Sequence, residues 1–259
     1  MQPEDYDYMY EMEDHFWWFD GMRTIAGALL DQHCEKNGNR RILDAGCGTG
    51  RNLVWLQRYA GEGEIHAIDT SFQALQMSLQ RGSERLVQAS VTNLPFADSS
   101  FDLVASFDVI VQLPTSGAAL QAMQEMYRVL KPGGIGFVRA AAFEWLRSGH
   151  DKALATKKRY ELSELSSELE RSGFVVLRAT YANSLLLPAI ALWRLVLKRV
   201  GLVDSGSDVK PLPPWLSRLN TILRLIVQAE AAWLRTMPVS LPAGVSAICV
   251  VQKPCDQIS

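Results

Sequence analysis

The chain has 259 residues, of which 48% are hydrophobic and 21% are charged, as in a globular protein that buries a sizeable core. Its 26 basic and 28 acidic residues give a formal net charge of −2, which argues against a nucleic acid as partner or substrate. The four cysteines have irregular spacings and no accompanying histidine cluster, which favours reduced thiols over disulfides or a zinc site. The acidic first residues do not resemble a signal peptide, so a cytoplasmic protein is expected.

Residues 1–36 are predicted to form an aromatic, mostly helical lid. Several tyrosines come first and are followed by the aromatic run at residues 15–19. Trp18 then shares a helical face with the apolar residues that follow it, namely Met22, Ile25 and Leu29. A lid of this kind would cover a site on the domain that comes next.

A core domain is predicted over residues 37–183, where short apolar runs alternate with helical stretches. The strand candidates are residues 41–45, 64–69, 85–89, 101–107, 135–141 and 174–180, and the helix candidates are residues 52–60, 72–81, 117–130 and 162–171. This alternation predicts βαβ units with right-handed crossovers. The expected fold is therefore a doubly wound α/β fold with a mostly parallel sheet.

Residues 184–237 interrupt this alternation and are interpreted as a helical insertion that caps an acceptor pocket. They contain one apolar helix near residues 185–200, a polar loop and an amphipathic helix from Trp215. The final strand is predicted at residues 245–252, within the last segment, 238–259. Simple packing of two helices on the core and a dimer contact are alternatives for the insertion. A membrane-surface contact through Arg194, Lys198 and Arg199 is the least favoured.

The strongest motif runs from the first strand into a glycine-rich turn and a helix, at residues 42–50. Glycine permits positive φ and lets a ligand approach the backbone, and the following helix offers free N–H groups. A dinucleotide site would have the pattern G-x-G-x-x-G. Here the third glycine comes one residue early, and Arg51 stands where that pattern has glycine. The turn therefore argues against NAD.

Asp69 is the second signal, because it ends the second predicted strand beside this turn. A carboxylate there can accept hydrogen bonds from both hydroxyl groups of a ribose. A plain turn former or helix N-cap is the alternative interpretation of an aspartate at a strand end.

Four motifs in this order resemble the class I S-adenosylmethionine-dependent methyltransferases. They are D-A-G-C-G-T-G at residues 44–50, Asp69, the run L-P-F-A-D-S-S-F-D-L-V at residues 94–104, and L-K-P-G-G at residues 130–134. The resemblance covers about residues 40–140. It implies a seven-stranded, Rossmann-like sheet whose last strand is antiparallel, with S-adenosyl-L-methionine bound over the carboxyl ends of the first strands.

The resemblance also implies which residues hold the cofactor. The glycine turn would contact its methionine part, Asp69 would hold the ribose, and Ser90 would replace the acidic residue that often meets the adenine amine in relatives. Arg23 would reach the cofactor carboxylate or, alternatively, remain a solvated surface residue. The complete expected set is Trp18, Arg23, Asp44, Gly46, Cys47, Gly48, Gly50, Asp69, Thr70, Ser90, Val91 and Phe107.

Two departures from the pattern of the relatives limit the catalytic groups and the acceptors that are expected. Gln112 stands near a position where relatives frequently carry histidine, and an amide cannot act as a base at neutral pH. The segment at residues 106–109 lacks the D/N-P-P-Y-like motif of methyltransferases that act on nucleobase amines. Such amines are therefore not expected as targets.

His15, Asp108 and Glu230 are the candidates for a base or a positioning residue. His15 could instead be a hydrogen-bonded packing residue. The helix from Trp215 carries an apolar stripe, expected to face the core, of Leu219, Ile222, Ile226, Trp233 and Met237, and Glu230 falls within it. Glu230 is therefore expected either to be paired, with Arg194 as one partner, or to be functional. No metal is expected.

The predicted function is methyl transfer by in-line displacement to the oxygen, nitrogen or carbon of a small, apolar or lipid-like molecule. The protein is expected to be a monomer or a homodimer. One alternative is aminopropyl transfer, although the segment at residues 106–113 has only Asp108 as an acidic residue. Another is a module that binds the cofactor without methyl transfer, as a sensor or for a rearrangement.

Overall fold

The computed structural model describes residues 3–197 and 217–255, and these contain one seven-stranded sheet in the order β3-β2-β1-β4-β5-β7-β6. The strands are β1 (Ile42–Ala45), β2 (Ile65–Asp69), β3 (Leu86–Gln88), β4 (Phe101–Phe107), β5 (Leu130–Ala141), β6 (Val175–Ala182) and β7 (Ser246–Gln252). Strand β7 is antiparallel to both of its neighbours, and the other pairings are parallel. The predicted fold class is confirmed.

Helices cover both faces of the sheet. The α-helices are α1 (Pro3–Met12), α2 (Trp17–Leu30), α3 (Arg51–Ala60), α4 (Phe72–Gln80), α5 (Ser116–Val129), α6 (Gly149–Ala153), α7 (Leu162–Arg171), α8 (Leu187–Leu192) and α9 (Ser217–Thr236). Helices α2, α3 and α9 enclose one hydrophobic core with the sheet, and α5 and α7 enclose another. The central strands are apolar because both of their faces are covered.

The N-terminal region divides into two helices with different surroundings. The aromatic run does not form a single lid: Phe16 and Trp17 are buried in the core, and α2 packs against α9. A Cβ at Gly21 would lie 2.8 Å from Val227, so this glycine permits the close approach of the two helices. Helix α1, in contrast, packs beside α4.

The region after β6 differs from its predicted form. The expected helix at 185–200 is α8 followed by a π-helical turn, Trp193–Leu197, while Lys198, Arg199 and Trp215 lie outside the described residues. The expected buried stripe of α9 is wrong for Ile222, Trp233 and Met237, which are exposed.

The buried face of α9 is instead the row Val227, Ala231 and Leu234, which has i, i+4, i+7 spacing and packs toward α2. The sequence has apolar residues on two faces of this helix, and only the position of α2 decides which face is covered. Within the described part of the chain, no helix is long and apolar enough to cross a membrane.

Candidate active site

A cavity of about 320 Å³ lies at the carboxyl ends of the central strands, which is large enough for a small-molecule ligand. Helix α1 covers one side of it. Most of the residues predicted to form the site line this cavity: Trp18, Gly46, Cys47, Gly48, Asp69, Thr70, Ser90, Val91, Phe107 and Asp108. The order of the strands therefore brings together residues that are as far apart in sequence as 18 and 108.

The glycine turn has a left-handed backbone at three positions. The φ angles of Gly46, Gly48 and Gly50 are 99°, 54° and 87°. A Cβ at Gly46 would lie 2.3 Å from a methyl group of Val109, so a side chain there would collide with the cavity wall. Gly50 precedes α3 and packs against Ser78, so it shapes the turn without lining the cavity.

Asp69 connects the end of β2 to this turn. Its carboxylate accepts hydrogen bonds from the backbone N–H groups of Gly48 (2.9 Å) and Ser71 (2.8 Å). Burial raises the pKa of Asp69, while these N–H groups act in the opposite direction. The N-cap of α4 is Ser71, whose hydroxyl accepts from Ala74, so Asp69 is not the helix cap that the sequence left open.

Asp44 is fully buried behind the turn and does not line the cavity. Neither carboxyl oxygen has a hydrogen-bond partner within the described residues. Burial, with the nearby charges of Asp69 and Glu13, raises the pKa of Asp44 to about 8. This carboxyl group is therefore mostly protonated at neutral pH, and a nearby cation would favour its ionised form.

Helix α1 contributes site residues that the sequence did not predict, because an aromatic amphipathic segment does not show where it docks. Tyr6, Tyr8, Met9 and Glu13 line the cavity. Glu13 accepts a hydrogen bond from Thr49 in the glycine turn, and burial raises its pKa.

Arg81, just after α4, holds α1 in this position. Its guanidinium group donates to the carbonyl of Tyr10 (2.7 Å) and to the carboxylate of Asp14 (3.0 Å), and it lies 3.6 Å from the carboxylate of Glu13. It also lies 4.1 Å from the ring centroid of Tyr10, at cation–π distance.

Asp108 lines the cavity directly after β4, with a φ angle of 58°. Its carboxylate forms an ion pair of 2.6 Å with Arg139 of β5, which also lines the cavity. The ion pair fixes the position of this carboxylate, so the structure favours a positioning role for Asp108. Arg139 was missed, although it is the charged residue within the apolar run 135–141.

The remaining predicted residues lie away from the cavity. His15 is exposed after α1, and its carbonyl accepts a hydrogen bond from Asn220 (3.4 Å). Arg23 is buried and donates to the carbonyl of Glu13 (2.9 Å). Neither residue lines the cavity.

Glu230 is buried among backbone N–H groups at the end of β6. Its carboxylate accepts from Asn183 (2.6 Å) and Leu185 (3.0 Å), and burial raises its pKa. The suggested pairing with Arg194 is therefore wrong. Backbone groups after β6 satisfy this carboxylate, and a sequence pattern does not reveal such partners.

Comparison with known proteins relates this site to a family. Residues 43–138 match the family described as a methyltransferase domain. The malonyl-[acyl-carrier protein] O-methyltransferase of Pectobacterium atrosepticum is 35% identical over 155 residues, which cover 59% of this chain and 53% of that protein. The chain spans only about a third to a half of the length of such curated relatives.

Two solved structures share the fold over most of the chain. One is in the complex between the Haloferax volcanii Trm112 methyltransferase activator and a methyltransferase (TM-score 0.58, 20% identity, 94% of this chain and 92% of that one). The other is the [4+2]-cyclase SpnF (TM-score 0.56, 20% identity, 90% and 81%). The matched segment contains the glycine turn, Asp69 and the L-P-F run, so residues 43–138 of this chain are similar to a methyltransferase domain.

Proposed function

We propose that the protein is an S-adenosylmethionine-dependent methyltransferase that acts on a small, largely apolar acceptor. The observation that carries the proposal is the juxtaposition of the glycine turn with Asp69 at the cavity under α1. Gly48 and Asp69 are joined by a hydrogen bond of 2.9 Å, so the turn and the second strand form one wall.

The residues present fit the cofactor in charge and in hydrogen-bonding capacity. Asp69 has carboxylate oxygens at the cavity wall that can accept from ribose hydroxyl groups. Asp44 offers a buried carboxyl group without a partner in the described residues, which suits the attraction of a cationic amino acid group. Ser90 and Val91 would border the adenine.

The protein's part in the reaction is alignment and exclusion of water. The bound cofactor would supply an activated methyl group. Trp18 and Phe19 give the cavity aromatic walls that suit a sulfonium cation. Gln112 and the ion-paired Asp108 can orient an acceptor, and the amide of Gln112 cannot act as a base, so acceptors that need no strong base are favoured.

The apolar character of the acceptor is inferred from the other walls of the cavity. Met9, Val109, Leu113 and Leu154 line it, and apolar walls favour apolar ligands. The similarity to malonyl-[acyl-carrier protein] O-methyltransferases supports an acyl-type acceptor.

A cofactor-binding protein without methyl transfer is the second candidate. The described lining residues include no histidine, which favours it, and the solved cyclase shows that the fold is not restricted to proteins named methyltransferases.

The test is the transfer of a radiolabelled methyl group from S-adenosylmethionine to a panel of small acids, alcohols, amines and acyl thioesters. Labelled product formed in step with S-adenosylhomocysteine supports the methyltransferase. Tight cofactor binding without either product over the whole panel supports the second candidate. The variant Asp69→Ala serves as the control, since it should lower both binding and turnover.

A further inference from the structure

Glu13, directly after α1, brings a buried carboxylate to the cavity. It is 7% exposed and lines the cavity, and its carboxylate accepts a hydrogen bond from the hydroxyl group of Thr49 in the glycine turn. Met9 of α1 packs next to the same turn, since a Cβ at Gly48 would lie 3.3 Å from its Cε. The N-terminal segment therefore contacts the glycine turn at two points.

The two carboxylate oxygens of Glu13 have different surroundings. Thr49 donates to Oε2, and the guanidinium group of Arg81 lies 3.6 Å from this same oxygen. Within the described residues, no group donates a hydrogen bond to Oε1 or forms an ion pair with it. Because the side chain lines the cavity, Oε1 is available to a donor on a bound ligand.

The groups around Glu13 do not fully compensate for its burial. The hydrogen bond from Thr49 and the charges of Arg81 and Arg23 lower its pKa, and the charge of Asp14 raises it. Burial is the largest effect, and the pKa of Glu13 lies above its ordinary value. A further cation beside this carboxylate would stabilise its ionised form.

Asp44 gives a second, independent indication of a cationic ligand. It is fully buried at the end of β1, and neither of its carboxyl oxygens has a hydrogen-bond partner within the described residues. The charges of Asp69 and Glu13 both raise its pKa, so the three carboxyl groups are within electrostatic range of one another. Buried carboxyl groups from β1, from β2 and from the segment after α1 thus converge on the glycine turn.

We propose that Glu13 binds the ammonium group of the cofactor's amino acid part, so that the N-terminal segment takes part in recognising S-adenosylmethionine. The inference rests on the proposed function for the identity of the ligand. An ammonium group has N–H donors that can reach Oε1, whereas a sulfonium group has none. The hydrogen bond would be charge-assisted on both sides, which makes it stronger than one between neutral groups.

The test is calorimetric titration with S-adenosylhomocysteine and with its deamino analogue, which keeps the nucleoside, the sulfur and the carboxylate but lacks the ammonium group. Wild type should bind S-adenosylhomocysteine at least about 10-fold more tightly than the analogue. Glu13→Gln should weaken S-adenosylhomocysteine binding about 10-fold and leave the affinity for the analogue unchanged. The glutamine has the same shape, and its carbonyl oxygen can still accept from Thr49. Glu11→Gln, at an exposed carboxylate of α1, is the matched control and should change neither affinity.

Equal weakening of both probes in Glu13→Gln would overturn the inference, because Glu13 would then act through the position of α1 and not on the ammonium group. An unchanged S-adenosylhomocysteine affinity in this variant would also overturn it, while binding to wild type would leave the proposed function standing. The absence of binding of either probe to wild type would overturn the proposed function itself, and this inference with it.

Discussion

At the scale of single residues, glycines with similar backbone conformations have different consequences in this chain. Gly46 and Gly82 both have positive φ, at 99° and 87°. A Cβ at Gly46 would meet Val109 at 2.3 Å, whereas a Cβ at Gly82 would meet nothing within 4 Å. At Gly46, both the backbone conformation and the lack of space disfavour a side chain, whereas at Gly82 only the backbone conformation does.

We expect Gly46→Ala to lower the free energy of unfolding by about 2–4 kcal/mol and Gly82→Ala by about 1–2 kcal/mol, because only the former adds a steric clash to the left-handed strain. Urea unfolding of both variants measures the difference. Equal losses would show that the wall at Val109 moves aside freely.

Asp44 predicts a pH dependence of stability. Its pKa rises from an ordinary value of 3.8 to about 8 in the folded chain, so between these values the folded state holds a proton that the unfolded state has released. Stability should therefore fall as pH rises through this window. Asp44→Asn should lose less unfolding free energy than wild type between about pH 5 and about pH 8.

Urea unfolding at the two pH values measures this, with Asp7→Asn, at an exposed position, as the control. Glu13, Asp69 and Glu230 have raised pKa values of the same sign, so a smaller slope should remain in Asp44→Asn. An unaltered slope would mean that Asp44 is already ionised without a ligand.

At the scale of elements, hydrophobic periodicity and turn residues were sufficient to predict the elements that local sequence determines. The central strands, the glycine turn and the position of Asp69 follow from local patterns, and strand order then brings their ends together. Strand β5 begins earlier than predicted, at Leu130, because Leu130 pairs with Phe101 before a register shift.

The positions at which helices α1 and α9 pack on the rest of the protein could not be predicted from local patterns. Helix α1 reaches the cavity through contacts with Thr49 and Arg81 that lie far away in sequence. Glu230 and the exposed face of α9 were misjudged for the same reason, since their partners belong to other elements.

We expect Arg81→Gln to loosen α1 and to weaken S-adenosylhomocysteine affinity by about 1–2 kcal/mol, because the variant loses its charged contacts with Glu13 and Asp14. Hydrogen exchange over residues 3–16 should rise, while exchange in the sheet stays unchanged. Arg85→Gln is the matched control, since Arg85 pairs with Glu64 at the other end of the sheet. Unchanged exchange in α1 would contradict this role of Arg81.

At the scale of the whole molecule, the cavity takes its lining residues from α1, from α2 and from the ends of the central strands. The family match covers only residues 43–138, which include the glycine turn and Asp69. Cavity-lining residues outside this segment, such as Met9 and Leu154, are therefore candidates for acceptor specificity, together with Gln112 inside it.

We propose above all that the glycine turn and Asp69 together bind S-adenosylmethionine. Calorimetric titration of S-adenosylhomocysteine into wild type and Asp69→Ala, side by side, tests it most directly. We expect saturable one-to-one binding to wild type and a loss of about 1–3 kcal/mol in the variant. The absence of binding to wild type, or equal affinities for the two proteins, would contradict the account.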